Sequence, residues 1–76
     1  MKNQANPEYM YFVYDIYDDT IFAGNEYRED ALDVCDEANE LDIIPQFKVY
    51  SAKYLMTRMN VNPYDFGNWS NYKESK

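Results

Sequence analysis

The sequence predicts a small α+β domain: a β-hairpin, an acidic helix, a third antiparallel strand and a short second helix, in the order ββαβα. Three observations carry this. Tyr9 to Tyr17 is an aromatic and β-branched run of strand length, followed across Asp18-Asp19 by a shorter one, Thr20 to Ala23. Arg28 to Asp42 repeats apolar residues at three- and four-residue spacing, the mark of a helix with one inward face. Beyond Pro45, apolar alternation returns at Phe47 and Val49 and then gives way to a second helical pattern.

In the first strand, Met10, Phe12, Tyr14 and Ile16 share one face by period two, while Tyr9, Tyr11, Val13, Asp15 and Tyr17 share the other. A sheet covered by a helix on one side leaves those tyrosines on its open side. Asp18-Asp19 supplies the hairpin turn, although the favoured Asn-Gly or Asp-Gly pair is missing. Gly24-Asn25 is expected to break the second strand, with Asn25 or Tyr27 at the helix boundary.

The helix from Arg28 to Asp42 organises the chain. Ala31, Val34, Cys35, Ala38 and Leu41 form the face that should turn inward, with Leu32 beside them. Glu29, Asp33, Asp36, Glu37 and Glu40 recur at the same spacing on the opposite side, giving roughly 16 Å of carboxylates at about 1.5 Å rise per residue. No lysine interleaves with them, so like charges repel where a solvated helix usually gains about 0.2–0.5 kcal/mol per Glu–Lys pair. The helix dipole favours Glu29 and Asp30 in the first turn, but disfavours Glu37, Glu40 and Asp42 near the C-terminus. The row is either a solvated face in an acidic protein or a docking face for a basic partner.

Residues 46 to 50 read as the third strand. Ser51 can cap the segment after it, where Ala52, Leu55, Met56 and Met59 make an apolar helical face and Lys53, Thr57 and Arg58 a polar one. The competing reading, one long strand from Phe47 to Met59, is disfavoured by the scarcity of β-branched residues. The compact domain should span residues 8–62, after a loose polar leader at 1–7. In the tail, 63–76, Pro63, Gly67 and several Asn and Ser favour turns, while Tyr64, Phe66, Trp69 and Tyr72 are expected to fold back over the open sheet face or a helix.

A net charge of −7 and a pI near 4.2 argue against direct binding to nucleic acid or an anionic membrane, and for basic partners. The charge is uneven: residues 28–45 sum to −6 and residues 46–60 to +3. Lys48, Lys53 and Arg58 make up that basic block, which suits a phosphate, the acidic helix of a neighbour or simple charge balance within the fold. The single cysteine, Cys35, excludes an internal disulfide and suits a small core residue in a reducing compartment. MKNQANPEY has no apolar segment of the export type and no run is long enough to span a bilayer, so a cytoplasmic location is expected.

Catalytic chemistry finds little to stand on. The chain has no histidine, its serines lie outside any G-x-S-x-G context, and two glycines cannot build a phosphate-cradling loop. No enzymatic activity and no cofactor or metal are therefore expected. Asp15, Asp18 and Asp19 offer the one carboxylate cluster suited to a hard cation or a shared proton, but turn-forming aspartates account for them. The nine tyrosines fill a core, stack on bases or form a protein interface; stacking needs interleaved Lys or Arg, which the first strand lacks.

The function expected from these features is a small acidic inhibitor occupying a basic surface of a partner, such as a nucleic-acid-binding enzyme or effector complex. Glu29, Asp33, Asp36, Glu37 and Glu40 would be its electrostatic contacts, with Asp18, Asp19, Tyr11, Tyr14 and Tyr17 as rim and anchor residues. Small size, acidity, abundant Tyr and Asn and the absence of catalytic apparatus resemble the compact proteins phages use against host defence or transcription, including anti-CRISPR proteins. That resemblance is one of composition, and it implies a DNA-mimic-like role without assigning any residue. The alternative is a homo-oligomeric structural or assembly module built on the first-strand aromatics. A homodimer would relieve the marginal core of a chain that buries only about 60–65% of its unfolded surface.

Overall fold

The computed structural model describes residues 8–41 and 46–65, together with the backbone of residues 69–74. Strands β1 (Tyr11–Asp15) and β2 (Thr20–Asn25) are followed by helix α1 (Arg28–Glu40), strand β3 (Phe47–Ser51), helix α2 (Ala52–Thr57) and strand β4 (Trp69–Glu74). The sheet order is β3-β1-β2-β4; β1 pairs antiparallel with both β2 and β3, and β4 runs parallel to β2. The expected ββαβα order thus holds, and a further strand follows it. The expectation of turns throughout the tail is corrected by β4, whose backbone finds its partners on the free edge of β2. The leader, the segment around Pro45 and the aromatic Phe66 lie outside the described residues.

The sheet is packed on both faces. Phe12 and Tyr14 point to one side, where they join Tyr9, Ile21, Ala52 and Leu55 in a core that Tyr50, Met59, Val61 and Tyr64 complete. Val13 points to the other side, where it meets Ala23 and the α1 residues Ala31 and Cys35, flanked by Tyr11, Phe22, Val34, Phe47 and Val49. The expected open face bearing tyrosines does not exist: α1 takes the side of Tyr11 and Val13, and α2 with the chain after it takes the side of Phe12 and Tyr14. The reason is area. A five-residue central strand with apolar side chains on both sides needs cover on both.

A bulge lets β2 serve both layers. Val13 pairs with Ala23 and Tyr14 with Ile21, so Phe22 is the extra residue. It turns with Ala23 toward α1, where its ring lies 4.9 Å from that of Phe47. Gly24 does not break β2, as expected, but continues it opposite Phe12. A Cβ there would stand 2.7 Å from Tyr9 Cδ2 and 2.9 Å from Phe12 Cε1, so only glycine leaves room for the two rings. Those rings meet edge-on at 6.5 Å, and the Tyr64 hydroxyl donates to the Tyr9 carbonyl, tying the segment after α2 to the start of β1.

Helix α1 begins at Tyr27, which caps without a side-chain hydrogen bond, and ends at Glu40 with Leu41 as C-cap. Because the helix stops there, Leu41 is 85% exposed rather than turned inward. The shorter α2 is capped as the sequence predicts, Ser51 Oγ accepting from the Tyr54 N–H at 3.1 Å. Ala52 and Leu55 are its buried residues, whereas Met56 of the predicted apolar face is 44% exposed. The six-residue helix is too short to bring every apolar position against the sheet.

Candidate protein-binding surface

The outer face of α1 is the strongest electrostatic feature of the fold. Ala31, Cys35 and Ala38 are buried against the sheet, which by helix geometry turns Glu29, Asp33, Asp36, Glu37 and Glu40 outward, and all five are exposed. Among the described residues, none of the five forms an ion pair. The like charges are therefore uncompensated along the helix, and their field projects from one side of the molecule.

The hairpin end carries the second group of predicted residues. Ile16 to Asp19 form the turn between β1 and β2, with Tyr17 62% exposed and Asp18 and Asp19 exposed beside it. The turn is built by a buried carboxylate. Asp15 Oδ1 accepts from the Tyr17 N–H at 3.0 Å and the Asp18 N–H at 3.1 Å, while the Asp15 carbonyl accepts from the Asp19 N–H at 2.8 Å. Asp19 closes the loop at φ 56°, a left-handed conformation that aspartate tolerates better than most residues. Asp15 thus has a structural task, with three of its side-chain bonds accounted for.

That third bond links the turn to α1. Asp15 Oδ2 accepts from Gln46 Nε2 at 2.8 Å, and the Gln46 backbone N–H donates to Asn39 Oδ1 at 3.0 Å. Gln46 therefore joins the hairpin turn to the last turn of α1. Through it, the fold holds Asp18, Asp19 and Tyr17 in fixed relation to Asp36, Glu37 and Glu40, residues about twenty positions apart in the chain. The sequence analysis singled out neither Gln46 nor Asn39, because a neutral amide carries no charge or periodicity signal. The one available hint is that Asn39 is a polar residue on the flank of an apolar helical face.

Two predicted anchors take other roles. Tyr14 is 1% exposed within the Phe12 core, so its ring is not available to a partner; this corrects its placement on the rim. Its hydroxyl donates to Asp19 Oδ1 at 3.4 Å, and burial first, then the Asp19 carboxylate, push its ionisation upward. Tyr11 is half-buried against the Val13 core. Of the three first-strand tyrosines, only Tyr17 stands in solvent. Two apolar residues not predicted as exposed accompany it near the same end: Ile16 in the turn, and Leu41 beside Glu40.

Cys35 is a buried free thiol that donates to the Phe47 carbonyl at 3.2 Å, and burial pushes its ionisation upward, with the Asp36 charge adding to the effect. Among the described residues, no group of three or more metal-ligating side chains could hold an ion, and no helix is long and apolar enough to cross a membrane. The chain matches no protein-family model, and comparison with curated proteins and with solved structures yields no match.

Proposed function

We propose that the protein is a small binding inhibitor that presents the acidic face of α1, with the hairpin end beside it, to a basic surface of another protein. One observation carries the reading: five exposed carboxylates, Glu29, Asp33, Asp36, Glu37 and Glu40, stand on one helix face without an ion pair among the described residues. Neighbouring carboxylates on a helix face are about 5–6 Å apart at Cβ, comparable with phosphates spaced about 3.4 Å per strand along a DNA axis. A groove that normally takes nucleic acid is therefore a suitable target. Tyr17 and Leu41 supply apolar contact area at the end of the acidic row, and Asp18 and Asp19 supply further charge.

The proteins that act this way include phage factors directed at host defence, anti-CRISPR proteins among them, and a basic cytoplasmic nucleic-acid-binding protein is the expected target. Association would be steered by charge, fast and salt-sensitive. The test is capture from a bacterial lysate on the immobilised protein, eluted in salt steps and separately with duplex DNA. Elution of a nucleic-acid-binding protein by DNA supports mimicry. Elution by salt alone moves the contact away from the nucleic-acid groove, and capture by an Asp33→Lys/Glu37→Lys/Glu40→Lys variant equal to wild type overturns the reading. An assembly module built on the first-strand aromatics draws less support, since Tyr14 and most of Tyr11 are already used in packing.

A further inference from the structure

The side of the sheet opposite α1 has the opposite chemistry. Lys48 and Tyr50 pair with Tyr14 and Phe12 and share their face of the sheet. Tyr50 meets Tyr14 edge-on at 5.9 Å and stacks on Tyr54 at 5.0 Å with their planes 7° apart. Tyr54 is 45% exposed, and the Arg58 N–H bonds its carbonyl one turn further along. Lys48, Lys53 and Arg58 are all exposed, and among the described residues none forms an ion pair. No acidic residue occurs in residues 46–60; Asp19, bonded to the Tyr14 hydroxyl, is the carboxylate that reaches this side.

We propose that this basic, tyrosine-bearing face docks the acidic α1 face of a second copy of the chain, head to tail. Both faces are exposed and both carry charges that lack partners within the described fold. Stacked Tyr50 and Tyr54 provide a rigid aromatic platform, and Tyr and Arg are residue types enriched at protein interfaces. The two faces lie on opposite sides of one sheet, so the contact is heterologous: each docked copy leaves one face of either sign free to continue. Net charges of −7 oppose the approach of two copies at long range. At about 0.15 M salt the screening length of about 8 Å suppresses that distant repulsion while leaving contacting charges attractive. Association is therefore strongest near physiological ionic strength and weaker both below and above it. A single-stranded nucleic acid on the same tyrosines is disfavoured by the overall negative charge.

The proposal shares the acidic face with the binding role above but needs no outside partner, and its test separates the two. Sedimentation velocity of the full chain across a wide concentration range, at low, physiological and high salt, should show mass growing with concentration beyond the dimer, most of all at the middle salt. Two variants, Lys48→Gln/Lys53→Gln/Arg58→Gln and Asp33→Asn/Glu37→Gln/Glu40→Gln, should each remain monomeric, with wild-type circular dichroism because every altered side chain is exposed. Mixed in equal amounts, they should form one-to-one pairs that grow no further, since each retains one working face. Only the second variant should lose capture of an outside partner. A wild-type chain monomeric at every salt, self-association retained by either variant, or a mixture that stays monomeric overturns the proposal. Binding of a single-stranded oligonucleotide that the lysine and arginine substitutions abolish would also overturn it, reassigning the face to nucleic acid.

Discussion

The side-chain amide of Asn39 brackets the backbone of Phe47: Oδ1 accepts the Phe47 N–H at 3.0 Å, and Nδ2 donates to the Phe47 carbonyl at 3.2 Å. β3 is an edge strand. Its bonded pairs with β1 fall on alternate residues, as Ile16 N–H to Gln46 carbonyl at 2.9 Å and Ala52 N–H to Met10 carbonyl at 2.8 Å define, so Phe47 directs its polar groups outward. Asn39 thereby replaces a neighbouring strand at that position, and the Ser51 cap turns the chain into α2 at the other end. Little open edge is left for pairing with another chain.

Asn39→Ala removes the acceptor for two backbone N–H groups, at Gln46 and Phe47, and a donor to one carbonyl. Leaving such part-buried groups unsatisfied should lower unfolding free energy by about 2 kcal/mol, read by urea denaturation. Amide exchange at Gln46 and Phe47 should accelerate more than at Val13. Asn39→Asp, which keeps the acceptor oxygen, should lose less.

Gly24→Ala tests the packing of β2 against the aromatic core. Its backbone is not in the left-handed region, so the cost comes from the contacts with Tyr9 and Phe12 alone. Overpacking of this kind should destabilise by about 1–3 kcal/mol, and Phe12→Leu in the same chain should recover part of the loss. A fully additive double variant would refute the steric account.

Alkaline pH should destabilise the fold. Cys35, Tyr14 and Tyr64 all ionise less readily in the folded chain, each chiefly because of burial. A raised folded value means that the unfolded chain releases its proton first, so the stability these groups contribute is complete below their ordinary values and falls as pH rises through the folded ones. Melting temperature should therefore decline from about pH 9 upward, the thiol acting before the phenols. Cys35→Ala should remove the earlier part of that decline, and tyrosine absorbance should show late-titrating phenols.

Charge reversal on α1 separates binding from folding. Asp33→Lys/Glu37→Lys/Glu40→Lys relieves like-charge repulsion and places cations near the C-terminal end of the helix, where the dipole favours them. Such changes contribute about 0.3–1 kcal/mol each at exposed sites, so stability should hold or rise while capture of a basic partner is lost. A variant that binds as well as wild type would leave the acidic row a solvated face.

The sequence by itself determined the elements, because period and composition act locally. The hairpin, the Arg28 helix, the strand at Phe47 and the Ser51-capped helix follow from spacing and capping, and the exposure of Glu29, Asp33, Asp36, Glu37 and Glu40 follows from the burial of Ala31, Cys35 and Ala38 opposite them. Only the tertiary structure decided which face of β1 each helix covers. Either side of that strand is apolar, so alternation alone cannot rank Tyr14 as core and Tyr17 as surface. The bulge at Phe22, the room that Gly24 leaves for Phe12, the parallel β4 and the Asp15–Gln46–Asn39 connection also depend on residues distant in the chain. Their physical cause is shared: backbone polar groups and aromatic rings must find partners in three dimensions, and a one-dimensional pattern does not say which partners are within reach.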